Sequence, residues 1–136
     1  MYIALMAHNN KKDLMVQFCS AYAGVLSRHN LCATNTTGRL ISEATGLPAQ
    51  LYLSCQHGGA QQIGARISYN EIDMVLFFVD PTDEKRYDEL LYMAHLCDQN
   101  SVPYATNVAT AEMLVLGMDR GDLDWRKLVN PKFKAK

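Results

Sequence analysis

Short apolar runs alternate along this chain with longer stretches in which apolar residues recur at helical spacing. The apolar runs cover residues 2–7, 31–34, 51–54, 73–79 and 102–105. The amphipathic stretches cover about residues 12–29, 36–45, 61–69, 84–99 and 109–118. This alternation predicts parallel strands joined by crossover helices. The expected fold is a single doubly wound, mainly parallel α/β sheet with helices on both faces, a Rossmann-like three-layer arrangement.

The fourth run, residues 73–79, is continuously apolar and is therefore predicted to form the sheet centre, covered on both faces. Polar residues follow every predicted strand. They are His8 and Asn9, residues 34–38, residues 54–59, Asp80 with Pro81, and Asn107. Because ligands of doubly wound sheets bind beyond the carboxyl ends of the strands, these loops are expected to meet at one candidate site.

Length and composition favour one globular domain over residues 1–136. Apolar residues make up 49% of the chain and charged residues 20%. Thirteen Lys and Arg against fourteen Asp and Glu give a formal net charge of −1, so no bulk charge favours nucleic acid or an anionic membrane. No apolar run approaches the ~20 residues that span a bilayer. Met1 runs directly into a strand-like segment, which argues against a signal peptide.

The four cysteines are widely spaced and form no Cys-x-x-Cys pair. Without a zinc-binding pattern, no structural metal is expected, and reduced thiols in a cytoplasmic protein are the simpler interpretation. Three of the cysteines are expected to be buried as small apolar residues: Cys19, Cys32 and Cys97. A polar, basic segment follows Trp125, and it either packs on a neighbouring subunit or forms a solvated end.

The segment after the second strand is a candidate phosphate cradle. Thr34, Thr36 and Thr37 bring three hydroxyls, with Asn35 and Gly38, to a predicted helix start, where backbone N–H groups and the helix dipole favour an anion. An ordinary helix-capping segment is the equal alternative. Convergence with other loops strengthens the phosphate interpretation.

Two further loops converge on the same edge. Ser54 and the turn at Gly58 and Gly59 add a hydroxyl and a close backbone approach, and Lys12 adds a positive charge.

Three side chains in these loops are candidates for proton chemistry. His8 directly follows a strand and is a candidate general acid or electrophile, although a lone histidine is more often structural. His57 lies in a glycine-rich loop and is expected to be accessible. Asp80 is the best-placed carboxylate, and its alternative role is to cap the next helix. His29 and His95 are predicted to lie on helices as surface or packing residues.

Five segments of the chain together resemble methylglyoxal synthase, in order and over nearly the whole length. They are IALMAH (residues 3–8), ATNTTGRLISEATG (33–46), GGAQQIGA (58–65), FFVDP (77–81) and PYATNVATAE (103–112). The resemblance implies a doubly wound α/β fold, a homohexamer and the conversion of dihydroxyacetone phosphate to methylglyoxal and inorganic phosphate. It implies no metal or organic cofactor. The expected partner is a small phosphorylated metabolite or inorganic phosphate.

The same resemblance assigns roles to individual positions. The phosphate contacts of the family correspond to Lys12, Thr34, Thr36, Thr37 and Ser54, and the backbone at Gly38 and Cys55 adjoins them. The strand-end histidine and aspartate of the family correspond to His8 and Asp80.

The departures from the family pattern fall on the chemistry. The family loop reads Ser-Gly-Pro-x-Gly-Gly-Asp-Gln-Gln and its aspartate is the catalytic base, whereas this chain has Ala60 at that place. Asn9 replaces an aspartate. The family's Pro-His-x-Pro-Asp segment is replaced by the shorter residues 82–89, which lack the histidine and place Asp88 or Glu89 near the lost aspartate.

Two further changes, Asn35 and Cys55, replace glycines where the backbone approaches phosphate. Five changes in one pocket favour natural divergence over a single engineered change.

Three hypotheses follow. The first is a methylglyoxal-synthase-like protein, a possible pseudoenzyme, that keeps its phosphate pocket but has lost strong synthase activity, since loss of a general base costs about two to four orders of magnitude in rate. The second is an active lyase, or an enzyme with another substrate, in which His57, Cys55 or Glu89 moves the proton. Cys55 is also a conceivable nucleophile, with an inert glycine replacement as the favoured alternative. The third, a purely structural protein, fits poorly with five retained contact residues.

Overall fold

The protein forms one five-stranded sheet in which all strands are parallel. The computed structural model describes residues 1–131 except the side chain of Lys85. The strands are β1 (Tyr2–Ala7), β2 (Asn30–Thr34), β3 (Gln50–Tyr52), β4 (Met74–Phe78) and β5 (Tyr104–Ala105). Their order across the sheet is β3-β2-β1-β4-β5. The chain thus winds outward from β1 in one direction and then, from β4, in the other, which confirms the doubly wound fold.

Helices cover both faces of this sheet. They are α1 (Lys12–Ala21), α2 (Ala23–Leu26), α3 (Asn35–Thr45), α4 (Gly59–Ser68), α5 (Tyr87–Gln99) and α6 (Val108–Asp119). The side chains of α1, α2, α3 and α6 share one hydrophobic core, and those of α4 and α5 share the other. Alternation along β1 supplies both cores, because Ile3 and Leu5 point to the first and Ala4 and Met6 to the second. The continuous apolar run at β4 is buried on both faces, as predicted. Its predicted place at the sheet centre was wrong, because β1 is the middle strand and β4 lies between β1 and the edge strand β5.

The first predicted helix, residues 12–29, is shorter than its pattern suggested. Tyr22 separates α1 from α2 with φ −106° and ψ 20°, outside helical geometry. His29 lies in the bend before β2 rather than on a helix, so that prediction was wrong. Its Nδ1 lies 3.2 Å from the Met1 amino nitrogen. His95 lies on α5 and is exposed, as expected.

The segment after Trp125 is only partly the solvated end that its composition suggested. Arg126 lies in a 3₁₀ turn, Asp124–Leu128, and is fully buried. Its Nε donates to Asp73 Oδ1 at 2.9 Å, and Asn130 Nδ2 donates to both oxygens of the same carboxylate. The guanidinium also donates to three backbone carbonyls at the amino edge of the sheet, those of Ile72, Asn100 and Ser101. The rest of the predicted basic tail, residues 132–136, lies outside the described residues.

Three of the four cysteines, Cys19, Cys32 and Cys97, are buried, which confirms that expectation, and Cys55 is partly exposed. Over residues 1–131, no helix is both long enough and apolar enough to cross a membrane.

Candidate functional site at the carboxyl edge of the sheet

The loops that follow β1, β2, β3 and β4 meet at the carboxyl edge of the sheet. They enclose a cavity of about 300 Å³, here called the strand-end cavity. The residues that line it are Asn9, Lys12, Thr34, Thr36, Ser54, Cys55, Gln56, His57 and Arg86. Because the winding direction changes between β1 and β4, this is the position where doubly wound sheets bind ligands.

A second cavity, of about 410 Å³, lies at the opposite edge of the sheet. It is larger, but none of the described residues that line it is Lys, Arg, Asp or Glu. Tyr2, Asn30 and Gln50, at or near strand starts, form part of its wall. The strand-end cavity is therefore the better candidate for anion chemistry.

Lys12 places a cation in the strand-end cavity from the first residue of α1. Its Nζ donates a 2.8 Å hydrogen bond to the Ala7 carbonyl oxygen at the end of β1, which fixes the ammonium group beside the strand ends. Burial, and then the neighbouring Arg86, lower the pKa of Lys12 from its ordinary value.

The segment after β2 supplies hydroxyl groups and a helix start. Thr34 ends β2 in an extended conformation and α3 begins at the next residue. Thr34 and Thr36 line the cavity, whereas Thr37 and Gly38 do not. Thr37 Oγ1 is nevertheless buried without a hydrogen-bond partner. Gly38 packs tightly against Leu51 and Ala33, so its lack of a side chain serves the packing of α3 on the sheet.

A tight turn after β3 forms the third wall of the cavity. The Ser54 carbonyl oxygen accepts hydrogen bonds from the backbone N–H groups of His57 and Gly59, both at 2.9 Å. Gly58 has φ +100°, a conformation that L side chains rarely adopt. A Cβ atom on Gly59 would collide with the Leu53 carbonyl group. The two glycines thus place the Ser54 hydroxyl and the exposed His57 beside the cavity.

The fourth wall contains Arg86, a residue that the sequence analysis did not single out. It ends a 3₁₀ turn, Glu84–Arg86, directly before α5. Its Nη2 lies 3.5 Å from Glu89 Oε2. A basic residue just before the helix that follows β4 was the available signal. A replacement histidine or carboxylate was expected in this segment, and the cation was not.

Cys55 lines the same cavity as Thr34, Thr36 and Arg86. Burial, followed by the nearby Glu89 carboxylate, raises the pKa of its thiol to about 11. A thiol with this pKa is protonated at neutral pH and is a poor nucleophile. The structure therefore favours the interpretation of Cys55 as an inert replacement for glycine.

Four of the five candidate catalytic positions do not line the cavity: His8, Asp80, Ala60 and Glu89. His8 is 1% exposed, and its Nδ1 accepts a 2.8 Å hydrogen bond from the Asp80 backbone N–H. A neutral imidazole therefore carries its proton on Nε2, which is buried and unpartnered. Burial, and then Arg86, lower the pKa of His8, so this neutral form is favoured.

The Asp80 carboxylate holds the loops after β1 and β4 together. Oδ1 accepts hydrogen bonds from the backbone N–H and the hydroxyl of Thr82, and Oδ2 accepts one from Asn10 Nδ2. The bonds from Thr82, followed by that from Asn10, lower the pKa of Asp80. These contacts close a turn. The alternative that Asp80 caps the next helix was wrong, because the following 3₁₀ turn begins after Asp83 and α5 after Arg86.

Ala60 occupies the first turn of α4, with no exposed surface, and packs in the core beneath α4 and α5. Its methyl group offers no proton acceptor. Among residues 1–131, no three His, Cys, Asp or Glu side chains come together as a metal site would require.

Fold and site define a class: a doubly wound α/β protein with a cationic, hydroxyl-lined cavity at its switch point. Comparison with known proteins narrows this class. The model of the MGS-like domain family matches residues 14–106. Methylglyoxal synthase from Caldicellulosiruptor saccharolyticus is 54% identical over 135 residues, covering 98% of this chain and 96% of the relative. The synthase from Geobacillus thermodenitrificans is 49% identical over 136 residues, covering 99% and 94%.

A solved structure agrees with these relatives. The crystal structure of methylglyoxal synthase from Elizabethkingia anophelis matches with a TM-score of 0.75 and 39% identity, over 84% of this chain and 76% of that one. The protein belongs to the methylglyoxal-synthase-like family.

Proposed function

We propose that the strand-end cavity binds a small phosphorylated metabolite resembling dihydroxyacetone phosphate, and that the protein converts dihydroxyacetone phosphate to methylglyoxal and phosphate weakly or not at all. One observation carries this proposal. Among the described residues, the cavity is lined by two cations, Lys12 and Arg86, and three hydroxyl side chains but by no carboxylate. These groups suit a phosphate dianion.

The chemistry of methylglyoxal formation needs more than phosphate binding. A base must remove a proton from the hydroxymethyl carbon beside the carbonyl, donors must stabilise the enediolate oxygen, and the phosphate must then leave. His8 Nε2–H is a donor of the required kind, and its neutral form is favoured by burial. The base is the missing part, because the position assigned to it by the family pattern is Ala60.

A second candidate function, an active lyase with a substitute base, is favoured by one feature. Glu89 Oε2 is buried without a hydrogen-bond partner and lies beside the cavity-lining Arg86. His57, which lines the cavity and is exposed, is the other substitute. Glu89 does not itself line the cavity, and Ala60 stands where the family pattern has its base, so the first function is preferred.

Calorimetric titration with inorganic phosphate tests the binding half of the proposal. The unmodified protein should give a saturable heat, and the Thr36→Ala, Thr37→Ala double variant should bind about tenfold or more weakly, since it loses two hydroxyl donors. Thr110→Ala, a change on α6 far along the chain, is the matched control and should bind like the unmodified protein. Absence of phosphate heat in the unmodified protein would contradict the proposal.

Turnover of dihydroxyacetone phosphate, followed by proton and phosphorus magnetic resonance, tests the catalytic half. Ala60→Asp should gain methylglyoxal and free phosphate over the unmodified protein by about two to four orders of magnitude in rate. Ala60→Asn has nearly the same shape without a base and is the matched control. Equal turnover in the unmodified protein and Ala60→Asp would contradict the proposal.

The second candidate function has its own test. If Glu89 or His57 carries the proton, Glu89→Gln or His57→Ala should abolish turnover while inorganic phosphate still binds. Residual turnover that survives both changes would eliminate both substitutes.

The homohexamer implied by the resemblance and the cytoplasmic location expected from the spacing of the cysteines belong to the same proposal. The named relatives are bacterial methylglyoxal synthases. Sedimentation velocity of the purified protein should show one species at six times 15.3 kDa. A monomer or dimer would contradict this part without affecting the binding proposal.

A further inference from the structure

The guanidinium group of Arg86 faces the strand-end cavity with few protein partners. Its side chain is 18% exposed, and among the described residues it makes one ion-pair contact, with Glu89 Oε2 at 3.5 Å. A guanidinium carries five N–H donors in a planar fork. The side chain lines the strand-end cavity, and none of its nitrogens is a buried atom without a partner, so its remaining donors are open to the cavity. These donors are available to a ligand that enters there.

Arg86 reaches the cavity from a different loop than the phosphate-directed groups. Lys12, Thr34 and Ser54 follow β1, β2 and β3, whereas Arg86 follows β4. The Lys12 ammonium group is anchored on the Ala7 carbonyl oxygen. When the phosphate of a ligand binds to the hydroxyl groups and Lys12, Arg86 is a second cation that can bind the other end of the ligand.

The planar geometry of the Arg86 guanidinium group favours a carboxylate as its partner. A guanidinium accepts a carboxylate through two parallel hydrogen bonds, which a neutral ketone or hydroxyl oxygen cannot match. Asn9 in the cavity wall is uncharged, and none of the described residues that line the cavity is a carboxylate, so none of them repels a second anionic group. The contact between Arg86 and Glu89 is long and leaves most of the fork free.

We propose that Arg86 forms a carboxylate subsite, so that the preferred ligand of this cavity is a phosphorylated carboxylic acid of two or three carbons. The inference rests on the proposed phosphate site and adds the identity of the ligand's other end. A cavity of about 300 Å³ is large enough for a three-carbon phosphate ester. The subsite makes this chain selective against a phosphorylated ketone of the same length.

Two ligands that differ in one group provide the test. 3-Phosphoglycerate and glycerol 3-phosphate share the phosphate and the carbon number, and only the first carries a carboxylate. Calorimetry should show that the unmodified protein binds 3-phosphoglycerate about tenfold or more tightly than glycerol 3-phosphate, as expected for a charge-assisted bidentate contact. Arg86→Gln should reduce this ratio to about one, and Arg86→Lys should leave an intermediate ratio because it keeps the charge without the fork.

Inorganic phosphate separates the two proposals. Arg120→Gln removes an exposed arginine paired with Asp122 and is the matched control, with an unchanged preference. Two results would overturn the carboxylate subsite while leaving the phosphate site in place. In the first, the unmodified protein binds inorganic phosphate but does not prefer 3-phosphoglycerate. In the second, Arg86→Gln keeps the preference. If inorganic phosphate itself does not bind, the proposed function fails first. Thermal unfolding of Arg86→Gln like that of the unmodified protein shows that this variant is folded.

Discussion

Two buried polar clusters lie at opposite edges of the same sheet, and they differ in how completely their hydrogen bonds are satisfied. At the amino edge, the Asp73 carboxylate accepts bonds from Arg126, from Asn130 and from the Tyr2 backbone N–H. At the carboxyl edge, His8 Nε2, Thr37 Oγ1 and Glu89 Oε2 are buried without hydrogen-bond partners.

Under the proposed function, the difference separates groups that hold the fold from groups near a ligand site. Proteins rarely leave buried polar atoms unpaired, so such atoms need an explanation. Two other unpartnered atoms among the described residues, on His29 and Asn70, lie away from the strand-end loops. The three at the carboxyl edge belong to segments that follow β1, β2 and β4, the region that the proposed function assigns to a phosphorylated ligand. The amino-edge cluster needs no ligand.

The largest expected effect comes from breaking the satisfied cluster. Arg126→Met should lower the free energy of unfolding by about 3–5 kcal/mol, because it leaves a fully buried Asp73 carboxylate without its cation. Urea denaturation provides the measurement, with the exposed Arg120→Met as control, expected to change stability by less than about 0.5 kcal/mol. A loss below about 1 kcal/mol for Arg126→Met would show that the cluster is not structural.

A smaller loss of stability is expected for a change in the turn after β3 that forms one wall of the strand-end cavity. Gly59→Ala places a methyl group against the Leu53 carbonyl, so the turn must shift, at a cost of about 1–3 kcal/mol. Because the same turn carries Ser54, phosphate affinity should fall as well. Denaturation and phosphate calorimetry on one preparation measure both effects. Gly24→Ala, at a position where a methyl group meets nothing within 4 Å, is the matched control. Unchanged phosphate binding in Gly59→Ala would show that the conformation of this turn does not affect the phosphate site.

The free energy of unfolding is expected to change in the opposite direction when a buried group without a hydrogen-bond partner is removed. Thr37→Val keeps the shape but removes a buried hydroxyl that has no partner in the free protein. The free energy of unfolding without ligand should stay the same or rise by up to about 1 kcal/mol, while phosphate affinity falls. A clear loss of stability in the absence of ligand would mean that the hydroxyl has a structural role.

The smallest expected effect is a pH dependence that originates at His8. Its pKa in the folded protein lies below the ordinary value of 6.5, because burial and Arg86 disfavour the charged ring. The unfolded chain therefore binds the proton more readily, and stability that is present above pH 6.5 is lost as the pH falls towards the lowered folded-state pKa. His29, whose pKa burial also lowers, contributes in the same direction.

Unfolding measured between pH 7.5 and 5.5 tests this expectation. His8→Asn keeps an acceptor for the Asp80 N–H and should reduce the loss of stability on acidification by less than about 1 kcal/mol. His95→Asn, at an exposed position, is the control. An identical pH profile for His8→Asn and the unmodified protein would contradict the assignment to His8.

The sheet could be predicted from the sequence because its signals are local. Apolar runs at β1 and β4 and helical spacing between the strands depend on neighbouring residues, and the structure confirms them. The strand-end loops were also predictable, since parallel strands bring their carboxyl ends to one edge. Lys12, Thr34 and Ser54 accordingly meet in one cavity.

Arg86 and Arg126 could not be predicted from such patterns. Each arginine occupies a polar segment that resembles a solvated surface in composition. Arg126 is buried only because Asp73, 53 residues away, supplies its charge partner. Arg86 faces the cavity only because the turn before α5 directs it there. Long-range pairing and loop geometry decided both positions, and neither leaves a periodic signal in the sequence.

Exchange of solvent deuterium into dihydroxyacetone phosphate tests the central claim most directly, because it reports proton removal independently of phosphate loss. In heavy water, proton resonance should show no protein-dependent loss of the hydroxymethyl signal with the unmodified protein, while phosphorus line broadening shows that the ligand binds. Ala60→Asp should cause rapid loss of that signal. Rapid exchange with the unmodified protein would show that a base is present in the cavity and would contradict the account.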